Sequence, residues 1–202
     1  MKIYDITQEV FNCEVYPGDP VPERKMISSI KDGDLYNLTA VSVCTHNGTH
    51  IDSPYHFIDN GKTIEEISVD NFVGECYVAE CNGKITSYQI KRIIHDAGVS
   101  CSKKILIKGD AVITIGGAKE LVEHGVQLIG VESQTVGPSQ SPMEVHIELL
   151  KNNIVILEGI RLNEVRQGRY FLSAAPLLLG KCDGAPCRAL LIDFNNKQKE
   201  EP

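Results

Sequence analysis

The sequence predicts an α/β domain. Short apolar segments recur along the chain with turn residues between them, and helix-like stretches separate several of those segments. The 42% hydrophobic and 23% charged content is that of an ordinary globular protein. With 202 residues the chain is long enough for one sizeable core, so a single domain is expected over residues 1–194, followed by a charged, apolar-poor tail at 195–202 that is expected to fray.

Taken in order, the opening Met1-Lys2-Ile3-Tyr4-Asp5-Ile6-Thr7 is too polar for a signal peptide. Residues 38–45 are β-branched and nearly uncharged and predict a buried strand. Further strands of a largely buried sheet are predicted at 76–79, 104–107, 126–131, 154–157 and 188–192, where Val, Ile and Leu dominate. Helices are predicted at 87–97, 118–124 and 142–151, with Gly98 and Gly125 placed as stops. Gly116-Gly117 precedes the second helix without a G-x-G-x-x-G or Walker pattern, so a turn is the better reading than an anion site.

Lys plus Arg number 20 against 27 Asp plus Glu, and the net charge of −7 opposes general affinity for nucleic acid or anionic membranes. No run approaches the roughly 18 apolar residues of a spanning helix. The seven cysteines are an odd number without a Cys-x-x-Cys pair, which fits reduced thiols in a cytoplasmic protein. Cys76 and Cys81, like Cys182 and Cys187, have a spacing open to a soft metal, but their apolar neighbours favour buried thiols.

The chemistry concentrates in His46-Asn47-Gly48-Thr49-His50-Ile51-Asp52-Ser53-Pro54-Tyr55-His56. Imidazole and carboxylate this dense point to a divalent metal. A flat strand rises roughly 3.3 Å per residue, which would hold His46 and His50 too far apart for one ion. The chain must therefore curl, and Gly48 is the residue that permits it. Pro54 then turns His56 back toward the same locus. A helical i, i+4 reading is opposed by Gly48, Ser53 and Pro54. His95 and His124 each fall in the last turn of a predicted helix, where a histidine complements the helix dipole, and are left out of the site. A second set of ligands is sought elsewhere, in His146, on the third predicted helix, and in Glu158, whose carboxylate ends the apolar run Ile154-Val155-Ile156-Leu157 and is costly to bury unless paired or ligating.

His46, Gly48, Thr49, His50, Asp52, Pro54 and His56 match every fixed position of His-x-Gly-Thr-His-x-Asp-x-Pro-x-His, and the chain thereby resembles the cyclase-like metal-dependent hydrolases, which include bacterial kynurenine formamidases and isatin hydrolases. The likeness extends from Asp5-Ile6-Thr7 and Tyr16-Pro17-Gly18-Asp19 to Asp183-Gly184-Ala185-Pro186. It implies a swivelling β/β/α domain with a largely buried mixed sheet, assembled as a homodimer or homotetramer. It also implies one or two zinc ions, or manganese, with His46, His50 and Asp52 on the first metal, Asp52, His146 and Glu158 on the second, and His56 as the unligated proton carrier. The expected activity is hydrolysis of a small amide, with N-formylkynurenine as the leading substrate. The alternatives are a cyclic amide or lactone hydrolase, or a non-catalytic metal-binding protein. Two departures bear on specificity: Tyr16 stands where many kynurenine formamidases carry Trp, and Glu132-Ser133-Gln134 follows the strand ending near Val131 in place of the family's Asp-Ser or Asp-Thr.

Overall fold

The computed structural model describes residues 1–138 and 140–194. The expected tail at 195–202 lies outside the described residues. The chain runs through β1 (Lys2–Asp5), β2 (Glu23–Ser28), β3 (Leu38–Ser42), β4 (His50–Asp52), β5 (Val73–Glu80), β6 (Gly83–Ile85) and α1 (Ser87–Cys101). It continues through β7 (Lys104–Lys108), β8 (Ala111–Ile113), α2 (Ile115–Glu123), β9 (Leu128–Val131), α3 (Pro142–Leu150), β10 (Val155–Glu158), β11 (Gly168–Ser173), β12 (Gly184–Pro186) and β13 (Leu190–Asp193).

Among the described residues, nine strands form one mixed sheet in the order β1-β13-β11-β5-β7-β9-β10-β4-β12. Its centre, β5-β7-β9-β10, is parallel, and parallel neighbours need crossovers, which α1, α2 and α3 supply. These strands are buried on both faces, as their nearly continuous apolar runs predict. Tyr77, Ala79, Ile105, Ile107, Ile129, Val131 and Ile156 pack beneath the helices. Val78, Leu106, Leu128, Val155 and Leu157 enter a second cluster on the opposite face.

That second cluster also takes Ile51 of β4, Ala185 of β12, Leu191 of β13 and Ile6, residues from both ends of the strand order. Hydrogen bonds tie the ends together: Arg161 N donates to Ile6 O at 2.8 Å. Gln8 N donates to Thr49 Oγ1 at 2.8 Å. The sheet therefore curls over its own far face, and with the helices above it gives β/β/α layering.

Three local readings change. The strand expected at 38–45 forms over Leu38–Ser42, but all five residues are exposed and pair only with β2. Its β-branched, uncharged composition specifies extended backbone without specifying what covers it. The second helix starts at Ile115, three residues before the predicted start, because Thr114 Oγ1 accepts from Gly117 N at 3.1 Å and caps it. Gly116-Gly117 thus lies within its first turn. The first helix breaks at Gly98 as predicted, with φ of 69°, yet a final turn runs on to Cys101. All seven cysteines are free thiols. No helix among the described residues is long and apolar enough to cross a membrane.

Candidate metal centre

β4 is the structural base of the site. It lies between β10 and β12, in a register that sets His50 opposite Glu158 and Pro186, and Asp52 opposite Ile156 and Gly184. Side chains alternate across a strand, so His50, Asp52 and Glu158 share the helix-side face with Ile156, while Ile51 and Leu157 enter the opposite cluster. His146 reaches the same place from α3, on the layer above that face. Residues 44–49 make the curl the spacing demanded. Asn47 N donates to Cys44 O at 3.1 Å, and Gly48 adopts a φ of 67°, in the left-handed region that glycine enters freely. Pro54–His56 is a single 3-10 turn, which brings the His56 ring to 4.0 Å from the His46 ring between centroids.

Three sets of His and carboxylate groups converge: His46, His50 and Asp52; Asp52, His146 and Glu158; and His46, His56 and Asp183. Asp52 belongs to the first two. Its Oδ1 lies 2.9 Å from His46 Nδ1 and 3.3 Å from His50 Nε2. Its Oδ2 lies 3.7 Å from His146 Nε2, is buried, and has no hydrogen-bond partner. Glu158 Oε1 accepts from Val136 N at 2.7 Å and sits 3.2 Å from His146 Nε2, while Oε2 faces His50 Nε2 at 3.6 Å. The five residues predicted as ligands are thus brought together, with His56 at their edge, and His95 and His124 lie elsewhere. His95 is exposed on α1, and His124 closes α2 with Nδ1 donating to Glu120 O at 3.0 Å.

The outer nitrogens of the three candidate ligand imidazoles are all anchored. His50 Nδ1 donates to Gly48 O at 3.1 Å, His146 Nδ1 to Pro142 O at 2.8 Å, and His46 Nε2 to Asp183 Oδ2 at 2.9 Å. Inner nitrogens are left facing the carboxylates, the arrangement that orients histidines on a metal. Asp183 did not stand out in the sequence, since only its place in Asp183-Gly184-Ala185-Pro186 marked that segment at all. It joins the cluster through a contact 137 positions long.

Electrostatics are strongly perturbed. Burial opposes charge on His46, but hydrogen bonds to Asp183 and Asp52 carry its pKa up to about 11. His50 rises against the same burial to about 9 through Asp52 and Glu158, and His146 rises through Glu158. Burial would lift Asp52, yet the imidazoles of His46 and His50 hold its carboxyl well below the usual range. Hydrogen bonds from His46 and His56 do the same for Asp183.

These residues fit a divalent cation. A buried carboxylate oxygen with no partner costs about 1–3 kcal/mol, and Asp52 Oδ2 would be relieved by an ion between it, His146 and Glu158. The donors are all imidazole nitrogen and carboxylate oxygen, a set suited to zinc or manganese.

Beside the cluster lies a cavity of about 510 Å³. Tyr16, Phe57, Pro142 and Met143 form its apolar wall, and Asp19, Gln134 and Thr135 are polar lining groups. The loop at 132–134 divides its roles. Gln134 lines the cavity, whereas Glu132 faces away, its carboxylate accepting from Gly109 N at 2.7 Å and Leu162 N at 2.8 Å.

Residues 4–138 match the model of the Cyclase family, described as "Putative cyclase". The kynurenine formamidase of Salinibacter ruber is 32% identical over 209 residues, covering 96% of this chain and 98% of that protein. That of Geobacillus thermodenitrificans is 31% identical over 200 residues, covering 93% and 95%. A solved structure described as "The Structure Of Potential Metal-Dependent Hydrolase With Cyclase Activity" superposes with a TM-score of 0.78 at 28% identity, covering 94% of this chain and 96% of that one. An isatin hydrolase bound to thioisatinate shares the fold, with a TM-score of 0.83 at 19% identity over 94% of this chain and 91% of that one.

Proposed function

The chain belongs to the cyclase family, and from that premise we propose that it is a metal-dependent hydrolase of a small amide, an arylformamidase that converts N-formylkynurenine to kynurenine and formate. One observation carries this reading: Asp52 stands between two histidine-bearing groups with one oxygen toward each, and a further imidazole, His56, sits beside them on the cavity wall. The relatives named kynurenine formamidase, similar over almost their whole length, support the substrate.

In this reading His46, His50 and Asp52 would hold one ion, and Asp52, His146 and Glu158 would hold a second. When bound, a divalent ion lowers the pKa of water from about 15.7 to about 7 and polarises a carbonyl. His56 accepts the proton of the attacking water as its oxygen bonds to the formyl carbon. The carbon–nitrogen bond then breaks, and His56 returns the proton to the leaving amine. Phe57 packs edge-on to His56 at 4.5 Å and tilts against His146 at 4.9 Å, so the wall that would orient an aryl group also fixes the rings that act on it. Zinc is the first candidate ion and manganese the second.

A second reading keeps the site and changes the substrate to a cyclic amide or lactone. It is favoured by the cavity lining, which holds no Lys or Arg among the described residues and so offers no cation to a substrate carboxylate. An intact His56 argues against a purely metal-binding role. The exposed β2–β3 ribbon, with Met26, Ile27, Leu38 and Val41 open to solvent, supports a homodimer or homotetramer, since apolar surface of this kind is normally covered. Seven free thiols support a cytoplasmic setting.

Metal analysis of protein purified without chelator, followed by assays on N-formylkynurenine, isatin and simple lactones with zinc and with manganese, tests the proposal. Turnover of N-formylkynurenine above the others is expected. Tightly held metal with no turnover on the panel would overturn it.

A further inference from the structure

Asp183 lies immediately before β12, and its backbone is pinned: its carbonyl accepts from both Ser53 N and Ser53 Oγ at 2.9 Å. Its side chain is equally constrained. Oδ1 accepts from Thr45 Oγ1 at 3.0 Å, while Oδ2 accepts from His46 Nε2 at 2.9 Å and faces His56 Nδ1 at 3.3 Å. A single oxygen thus serves two imidazoles whose ring planes are tilted by only 33°. Backbone carbonyls of Gly48 and Pro142 do the corresponding work for His50 and His146. Of the four rings at the centre, His46 and His56 are the two whose outer nitrogen is anchored by a side chain.

We propose that Asp183 is a positioning residue that fixes the ring orientation and tautomer of His46 and His56 together. A carboxylate oxygen can only accept, so each ring must present an N–H to it. His46 then carries its hydrogen on Nε2 and keeps Nδ1 for the locus it shares with Asp52 and His50. His56 carries its hydrogen on Nδ1, which leaves Nε2 as its basic nitrogen. The proposal rests on the hydrolase reading only where turnover is measured. Ring orientation and metal affinity need no substrate.

The test uses the full chain, loaded with zinc, as wild type and as the Asp183→Asn and Asp183→Ala variants. Long-range proton–nitrogen NMR should show His56 as the Nδ1–H tautomer in the wild type and as a mixture in both variants. Zinc affinity, read by competition with a chelator, should fall 10–100-fold in Asp183→Ala with the number of ions bound at saturation unchanged. At saturating zinc, kcat should fall at least tenfold with KM within twofold, and Asp183→Ala should cost less in a His56→Ala background than in the wild type, since only its effect through His46 is left. Unchanged tautomers with zinc affinity within twofold in Asp183→Asn would overturn the proposal. Fewer ions at saturation would make Asp183 a ligand and overturn it too. Failure of the near-isosteric Asn variant to fold would assign the side chain to the scaffold instead. If the wild type turns over none of the substrates, the NMR and zinc measurements still decide the matter.

Discussion

His56 is the imidazole whose removal should separate chemistry from metal binding. It touches Asp183 and the His46 ring but none of the Asp52 and Glu158 oxygens. His56→Ala is expected to lower turnover about 10²–10⁴-fold, the usual worth of a positioned acid–base group, with metal content unchanged. Loss of metal in that variant would make His56 a ligand. Gly184 matters for a different reason. A β-carbon there would lie 2.6 Å from Ile51 O and 3.1 Å from His46 Cε1, so either the β4–β12 pairing or the His46 ring must move. Gly184→Ala should weaken zinc affinity at least tenfold by chelator competition. Wild-type affinity in that variant would show that the ring has room to spare.

At the level of elements, the three-residue β4 is held by hydrogen bonds to β10 and β12 and by one fully buried side chain, Ile51, which pairs with Leu157 and Ala185. Ile51→Ala should cost about 2–5 kcal/mol in urea unfolding. Because His50 and Asp52 flank it, metal affinity should fall as well, and a stability loss with unaltered affinity would show that β4 is held by its partners alone. The parallel centre of the sheet was legible in the sequence because strands buried on both faces are written as short apolar runs, clearest in Ile105-Leu106-Ile107 and Val155-Ile156-Leu157. The polar or mixed strands were not: β1, β11 and β12 carry Lys2, Arg169 and Pro186, and only their partners make them strands. The candidate ligands His46, His50 and Asp52 could be read from local spacing, and Glu158 from the anomaly of a carboxylate ending an apolar run. Asp183 could not be read, because its partners are distant in sequence and a lone Asp before a glycine looks like a turn.

For the molecule as a whole, the proton inventory of the centre sets a pH dependence. His46 and His50 hold protons in the folded, metal-free chain up to about 11 and about 9. Unfolded imidazoles release them near 6.5. A raised pKa stabilises the fold fully below the unfolded value and stops doing so as pH climbs through the folded one, so metal-free protein should lose stability from pH 6.5 upward. A divalent ion held by these two imidazoles would replace the protons and remove that loss. The melting temperatures of zinc-loaded and chelator-treated protein should therefore diverge between pH 6.5 and 9, and parallel curves would refute the assignment of His46 and His50 as ligands. The lowered Asp52 and Asp183 act on the acid side, giving stability that is full above the usual carboxylate range and is lost as pH falls below that range through their depressed values.

The curled sheet has a consequence for biogenesis. β4 is synthesised early, but β12 and Asp183, which flank it and anchor His46, follow some 130 residues later. A polypeptide still emerging from the ribosome can display His46, His50 and Asp52 long before their enclosure exists. Metal capture should accordingly be a late event, and nascent chains stalled before Asp183 should exchange a bound divalent ion far faster than released protein.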